Sequence, residues 1–120
     1  MNNRPVDVIK KFKQFDPGEI GISTITVSEL QYGVAKSTRQ KENQHRLDEF
    51  LSPLEVLTYN EIAARIYGDI RFQSEKRGKP IGPLDLLIAA HALSQNLIIV
   101  TNNDKEFKRI KNLEVENWTQ

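Results

Sequence analysis

The chain has 120 residues and nearly balanced charge, with 17 basic and 16 acidic residues and a net charge of +1. It has no cysteine, which excludes disulfides, thiolate nucleophiles and zinc–thiolate sites and suits a reducing cytoplasm. Its length fits one domain with a core of its own, which we place over residues 1–120. No apolar stretch approaches a membrane span and the N-terminus has no signal-peptide core, so no membrane association is expected.

In the first half of the chain, the spacing of apolar residues predicts helices alternating with strands. The predicted elements are a short helix over 5–15, a strand over Ile20–Ile25, a helix beginning near Thr26, a helix over Arg46–Leu51 and a strand over Leu54–Leu57. Between them, Ser37–Gln44 is polar and charged, and is either a loop or a solvated helical turn.

The second half contains the longest helical pattern, from Thr58 to Gly78. Thr58 and Glu61 have capping-box spacing, and Gly78 fits the end of the helix. The elements predicted after it are a helix beginning at Gly82-Pro83, a strand over Leu97–Val100, a short helix over Asp104–Ile110 and a half-exposed strand over Leu113–Trp118. Strands separated by helices predict an α/β fold with a mostly parallel sheet and with sites at the carboxyl ends of its strands.

The helix beginning at Gly82-Pro83 is the most distinctive element. Eight of the ten residues in Leu84–Leu93 are apolar, so a short buried helix is predicted, with Pro83 at its first position. The two exceptions are Asp85 and His91. The helix dipole favours a carboxylate in the first turn, but burial disfavours its charge. His91 lies well round the helix from Asp85 and is predicted to be a structural histidine.

Three carboxylates share one local context. Each lies three residues after a position at which a helix is predicted to begin. They are Glu29, Asp85 and Glu106. Taken singly, Glu29 also fits a capping box with Thr26. Glu106 fits a looser one with Asn103. Asp85 has no such explanation, because the residue before its helix is a glycine and its own helical face is apolar.

A group of converging carboxylates would have a definite chemistry. Two carboxylates about 4 Å apart repel by roughly 4 kcal/mol at an effective dielectric near 20. Such a group persists by holding a proton, pairing with a cation or binding a metal, and oxygen-only ligands select Mg²⁺ or Mn²⁺. Carboxylate-held Mg²⁺ activates water and neutralises phosphoryl charge, as a nuclease requires. Spacing alone leaves open whether the three side chains converge.

Basic residues are concentrated in three short stretches, and such runs are ordinarily solvated helix faces. The last of them flanks Glu106 and is placed to position a phosphate backbone near the carboxylates. The three stretches are Lys10–Lys13, Arg71–Lys79 and Lys105–Lys111.

Three ordered stretches of the chain resemble those of a known family. They are ITVSELQYG at 25–33, PIGPLDLLIAAHA at 80–92 and VTNNDKEF at 100–107, and the closing LEVENW at 113–118 also matches. Their order and spacing resemble the PIN-domain toxins of the VapC type over essentially the whole chain. The resemblance implies an α/β/α sandwich and a Mg²⁺- or Mn²⁺-dependent endoribonuclease that acts on cellular RNA. It also implies a toxin held inactive by a cognate antitoxin, and homodimerisation.

The resemblance also assigns the site residues, position by position. Glu29 matches the family's second acidic position, Asp85 the third and Glu106 the last. All three are therefore expected to be catalytic and to hold the metal, Asp85 directly and the two glutamates through metal-bound waters. Thr101 and Asn103 are expected to line the site.

One part of the family pattern has no counterpart in the chain. The family usually opens with an apolar strand ending in Asp-Thr-Asn, whose Asp is a principal metal ligand, whereas this chain opens with Met1–Pro5. We therefore expect the first strand to be missing, which exposes strand edges and weakens Mg²⁺ binding. Two hypotheses follow. The chain is a ribonuclease toxin, or it is a catalytically impaired PIN-like module that binds antitoxin or RNA, or self-associates, without cleaving.

Overall fold

A computed structural model describes residues 8–10, 20–78, 80–101 and 103–117. Within these residues, helices alternate with the strands of one sheet. The elements are β1 (Val8–Lys10), β2 (Ile20–Ser23), α1 (Thr24–Ala35), α2 (Gln40–Leu51), β3 (Glu55–Leu57), α3 (Glu61–Lys76), α4 (Pro83–Gln95), β4 (Ile98–Val100), α5 (Asp104–Phe107) and β5 (Val115–Glu116). None of the helices in these ranges is long and apolar enough to cross a membrane.

The five strands lie in the order β3-β2-β1-β4-β5. The outer pairs, β2 with β3 and β4 with β5, are parallel, as the alternation of strands and helices predicts. The central strand β1 is antiparallel to both of its neighbours. The α/β class is thus confirmed, and the sheet is mixed rather than mostly parallel.

The position of β1 corrects two expectations. The helix predicted over residues 5–15 is wrong at Val8–Lys10, which form a strand, and the rest of that range lies outside the described residues. β-branched Val8 and Ile9 suit a strand as well as a helix face, so their spacing is ambiguous. A missing central strand would leave the facing edges of β2 and β4 unpaired. Because β1 pairs with both of these strands, the two edges are hydrogen-bonded.

Two adjacent residues of β2 show that helices cover both faces of the sheet. Successive side chains of a strand point to opposite faces. Ile22 packs in one core cluster with Leu47 of α2 and with residues of α1. Ser23 instead forms a hydrogen bond with His91 of α4. The α1–α2 pair and α4 therefore lie on opposite faces, which gives the expected α/β/α sandwich.

The helix ends explain where the predicted boundaries shift. Ser23 caps α1 by accepting from the backbone N–H of Ile25, so this helix begins before the predicted Thr26. Asn60 caps α3 through the N–H of Ala63, so the predicted capping box of Thr58 and Glu61 is wrong. α2 begins at Gln40 rather than at Arg46. The polar stretch Ser37–Gln44 is therefore a solvated helical turn from Gln40 onwards.

Candidate active site

The head of α4 places Asp85 at the edge of the core. Gly82 is the N-cap residue and Pro83 the first helical residue, as predicted. Asp85 is half-buried in the first turn, and the helix behind it is firmly anchored, since Leu86 is 3% and Ala89 0% exposed. A carboxylate in the first turn of a buried helix is favoured by the helix dipole.

Glu106 contacts this same helix head from a distant part of the chain. Its Oε1 accepts a hydrogen bond of 2.9 Å from the backbone N–H of Gly82. Gly82 has no side chain that could accept from the first turn of α4, and Glu106 instead satisfies the N–H of the N-cap residue itself. The capping box predicted between Asn103 and Glu106 is wrong, because Asn103 makes no side-chain cap bond to α5. Phe107, which is 0% exposed, anchors this short helix beside α4.

Asn103 bridges the two carboxyl groups. Its side-chain nitrogen Nδ2 lies 3.1 Å from Asp85 Oδ2 and 3.2 Å from Glu106 Oε2, and donates to both. The backbone N–H of Asn103 in turn donates to Thr101 Oγ1 at 3.0 Å. Thr101 is only 3% exposed, so the turn that carries Asn103 is tied to the buried end of β4. The structure therefore brings together four of the five predicted site residues.

The electrostatics of the pair favour an ionised Glu106. The hydrogen bond from the Gly82 N–H is the main cause of the lowered pKa of Glu106, and the hydrogen bond from Asn103 and the charge of Arg109 act in the same direction against burial. Two carboxyl groups that share one amide donor are a place where a bound cation is stabilised.

Glu29 is placed differently from the other two predicted carboxylates. It lies half-exposed in the second turn of α1, not in the first turn as predicted, because Ser23 begins the helix earlier. The capping box predicted with Thr26 is wrong for the same reason. Thr26 is buried, and its hydroxyl has no hydrogen-bond partner. Within the described parts of the chain, no three Asp, Glu or His side chains are grouped to hold a metal, so Glu29 does not complete a triad with the acidic pair.

A second polar contact on α4 was not foreseen. His91 and Ser23 are both 0% exposed, and His91 Nδ1 lies 2.7 Å from Ser23 Oγ. The His91 ring also meets Tyr59 edge-on at 5.7 Å between ring centroids and hydrogen-bonds to the backbone of Thr58. The predicted structural role of His91 is thus confirmed. The spacing of apolar residues placed Ser23 inside the predicted strand over Ile20–Ile25, and nothing in the sequence pointed to its partner.

The comparisons with known proteins agree with this fold. Residues 4–113 match the PIN domain family model, so the chain belongs to the PIN domain family. Among similar curated proteins, Ribonuclease VapC2 of Rickettsia felis is 52% identical over 99 residues, which are 82% of this chain and 74% of that protein. The tRNA(fMet)-specific endonuclease VapC of Shigella flexneri is 40% identical over 119 residues, covering 99% and 89% of the two chains. The chain is therefore a homologue of the VapC ribonucleases.

Solved structures give the same assignment. VapBC2 from Rickettsia felis, bound to a promoter DNA fragment, matches with a TM-score of 0.79 and 51% identity over 82% of this chain and 74% of that one. VapBC-1 from nontypeable Haemophilus influenzae matches with a TM-score of 0.80 and 37% identity over 83% and 75%. The expected PIN-like α/β/α fold is confirmed.

Proposed function

We propose that this chain is a VapC-type toxin, a Mg²⁺- or Mn²⁺-dependent endoribonuclease that acts in the cytoplasm. The observation that carries the proposal is the carboxyl pair of Asp85 and Glu106, held together by Asn103 at the head of a buried helix. The names of the curated relatives, a ribonuclease and a tRNA-specific endonuclease, support RNA as the substrate. The lack of cysteine is consistent with a reducing compartment.

The chemistry of the acidic pair fits a hard divalent cation. Its donor atoms are all oxygens, and Mg²⁺ is commonly held by one or two protein carboxylates together with substrate phosphate oxygens and water. Asp85 and Glu106 would hold the ion, which would relieve the repulsion between their charges. When bound, such an ion supplies a Lewis acid for the phosphoryl group and lowers the pKa of water.

The chain's own residues have distinct roles in this proposal. Gly82 keeps Glu106 ionised through its N–H, and Asn103 fixes the two carboxyl groups relative to each other. Thr101 holds the backbone of Asn103 in place. Glu29 is proposed as a third, more loosely placed carboxylate that orients water near the scissile phosphate.

An antitoxin partner and a homodimer belong to the same proposal. The similar solved structures are VapBC complexes, which supports a cognate antitoxin. The helices also carry large apolar side chains in solvent, with Tyr32 and Ile62 each 59% and Phe72 58% exposed. In this proposal they lie in the surfaces that the antitoxin and a second copy of the chain cover.

The experiment is cleavage of fluorescently labelled tRNA and generic RNA by the purified chain, with Mg²⁺, Mn²⁺ or EDTA. Cleavage should require the metal and should fall at least about a hundredfold in Asp85→Asn, since even supporting residues of metal sites contribute about 10–100-fold. Asp69→Asn is the matched control, because Asp69 is an exposed carboxylate of α3 outside the acidic pair. It should cleave like the wild type.

The rival function is a PIN-like module that binds without cleaving. It is favoured by one observation, the lack of a third carboxylate grouped with the pair in the described ranges. RNA or antitoxin binding with no metal-dependent cleavage at any Mn²⁺ concentration would establish the rival. Cleavage that is equal in the wild type and Asp85→Asn would instead show a nuclease centre elsewhere, or a contaminant.

A further inference from the structure

A cavity of about 630 Å³ lies between the end of α3 and the segment that follows α5. Its apolar floor includes Ile81 and Ile110, which pack in the core and are 6% and 7% exposed. Ser74, itself 7% exposed, accepts a hydrogen bond of 3.0 Å from the N–H of Ile81, which holds Ile81 against the end of α3. The cavity is thus a preformed feature of the fold.

The rim of this cavity is basic. Arg77, Arg109 and Lys111 line it, and no carboxylate is among the described residues that do so. Arg77 Nη1 donates to the backbone carbonyl of Arg109 at 2.9 Å, which ties the end of α3 to the segment after α5. This bond uses one of the five N–H donors of the guanidinium, and among the described residues no other side-chain hydrogen bond or ion pair of Arg77 competes with a ligand. The fold has joined two basic stretches that are separate in sequence.

Two residues that line the cavity are close in the chain to residues of the acidic pair. Ile81 lines the cavity, and the next residue, Gly82, donates its N–H to Glu106. Arg109 also lines the cavity, and its backbone N–H donates to the carbonyl of Glu106 at 3.2 Å. A polyanion held on the basic rim would therefore lie beside the segment that carries Glu106.

We propose that the basic rim of Arg77, Arg109 and Lys111 is a subsite for the phosphate backbone of single-stranded RNA, adjoining the cleavage site. Phosphate contacts of this kind fix the register of a nucleic acid and carry no sequence information. The net charge of the chain is only +1, so local rather than long-range attraction must position the substrate. The apolar floor suits ribose and base faces better than a second charged group. This inference rests on the proposed ribonuclease function.

The test measures the binding of a fluorescein-labelled single-stranded RNA by fluorescence anisotropy over a range of salt concentrations. EDTA is present to prevent metal-dependent cleavage. The Arg77→Gln/Lys111→Gln double variant should bind about tenfold more weakly. Its slope of log K against log salt should be smaller by about 1.4, since each phosphate contact to a single strand contributes about 0.7. The loss should be the same for RNAs of different sequence.

The matched control is Lys41→Gln/Lys76→Gln, which removes the same charge from α2 and from a residue next to Arg77 that does not line the cavity. It should keep nearly the wild-type slope. Arg77→Lys keeps the charge and should retain most of the affinity, which guards against a loss caused by the broken bond to Arg109. Thermal melts check that each variant folds.

Two results would overturn the subsite. One is equal RNA affinity and salt slope in the double variant and the control, and the other is no RNA binding by the wild type in EDTA. If the double variant loses affinity only for an acidic peptide, the rim is a protein-docking surface instead. Failure of the ribonuclease function is separate, because it appears as absent cleavage with Mn²⁺ while the rim-dependent RNA binding persists.

Discussion

The two polar clusters on α4 differ in access to solvent and in charge. At its head, half-buried Asp85 shares Asn103 with Glu106 and faces a surface reached by solvent. Further along the helix, His91 and Ser23 are sealed from solvent, and burial lowers the pKa of His91. The first cluster holds excess negative charge and is open to a cation. The second is neutral and fully occupied by protein partners.

In the proposed function, this difference separates a reactive site from a structural one on the same element. A buried polar pair that satisfies itself contributes to stability and specificity of packing. An accessible pair of like charges is retained at some cost in repulsion, which a bound cation relieves. Substitutions at the two ends of α4 should therefore change different observables.

The largest effect is expected at Glu106. Glu106→Gln keeps an oxygen that accepts from Gly82 but removes the charge, so cleavage should fall at least about a hundredfold with little change in stability. Glu106→Ala should lose the same activity and, in addition, about 1 kcal/mol of the free energy of unfolding, because the N–H of Gly82 at the start of α4 loses its acceptor. Cleavage rates and urea unfolding of both variants measure this. Equal stability of the two would refute the capping role.

Asn103→Ala should come next. It leaves both carboxyl groups in place but removes the amide that bridges them, so cleavage should fall roughly 10–100-fold, as for supporting residues of metal sites. Asn103 is exposed, so the unfolding midpoint should stay near that of the wild type. An unchanged cleavage rate would show that the bridge has no part in the reaction.

His91→Leu should act on stability alone. It removes the ring that contacts Ser23 and leaves a buried hydroxyl short of a partner, so we expect a loss of about 1–3 kcal/mol. The cleavage rate per folded molecule should be unchanged. The chain has one other histidine, His45, whose side chain is 77% exposed. His45→Leu is therefore a matched control and should stay within about 0.5 kcal/mol of the wild type.

The smallest effect is the pH dependence of the stability that the buried His91 contributes. Because burial lowers the pKa of His91 below its ordinary 6.5, the unfolded chain takes up the proton first as the pH falls. The contribution of His91 to stability is thus complete above pH 6.5 and declines as the pH drops from there towards the folded-state pKa. Chemical unfolding between pH 7.5 and about 5 should show this decline in the wild type and a flatter profile in His91→Leu.

Features of the fold and of the site that depend on neighbouring residues were predictable from the sequence. The start of α4 and the position of Asp85 follow from Gly82-Pro83 and a short apolar run, so they were predicted correctly. Val8–Lys10 were misassigned because a few β-branched residues fit either period. The roles of Asn103 and Thr101 as site residues came from the family resemblance rather than from spacing.

Long-range hydrogen bonds account for what sequence did not predict. Ser23 and His91 are 68 residues apart, and Gly82 and Glu106 are 24 apart. Nothing in local composition selects one distant serine or glutamate over another, because the choice is made by the packing of α4 against the sheet. The joining of two basic stretches through Arg77 is of the same kind. Sequence therefore predicted the participants of the site better than their contacts.

The central claim is that the Asp85–Glu106 pair is a metal-dependent nuclease centre, and Mn²⁺ binding tests it most directly. Calorimetric titration of Mn²⁺ into the wild type, Asp85→Asn, Asp69→Asn and His91→Leu needs no knowledge of the RNA target. The account predicts binding to the wild type, Asp69→Asn and folded His91→Leu with similar affinity, and at least about tenfold weaker binding to Asp85→Asn. Equal Mn²⁺ affinity in the wild type and Asp85→Asn would contradict it.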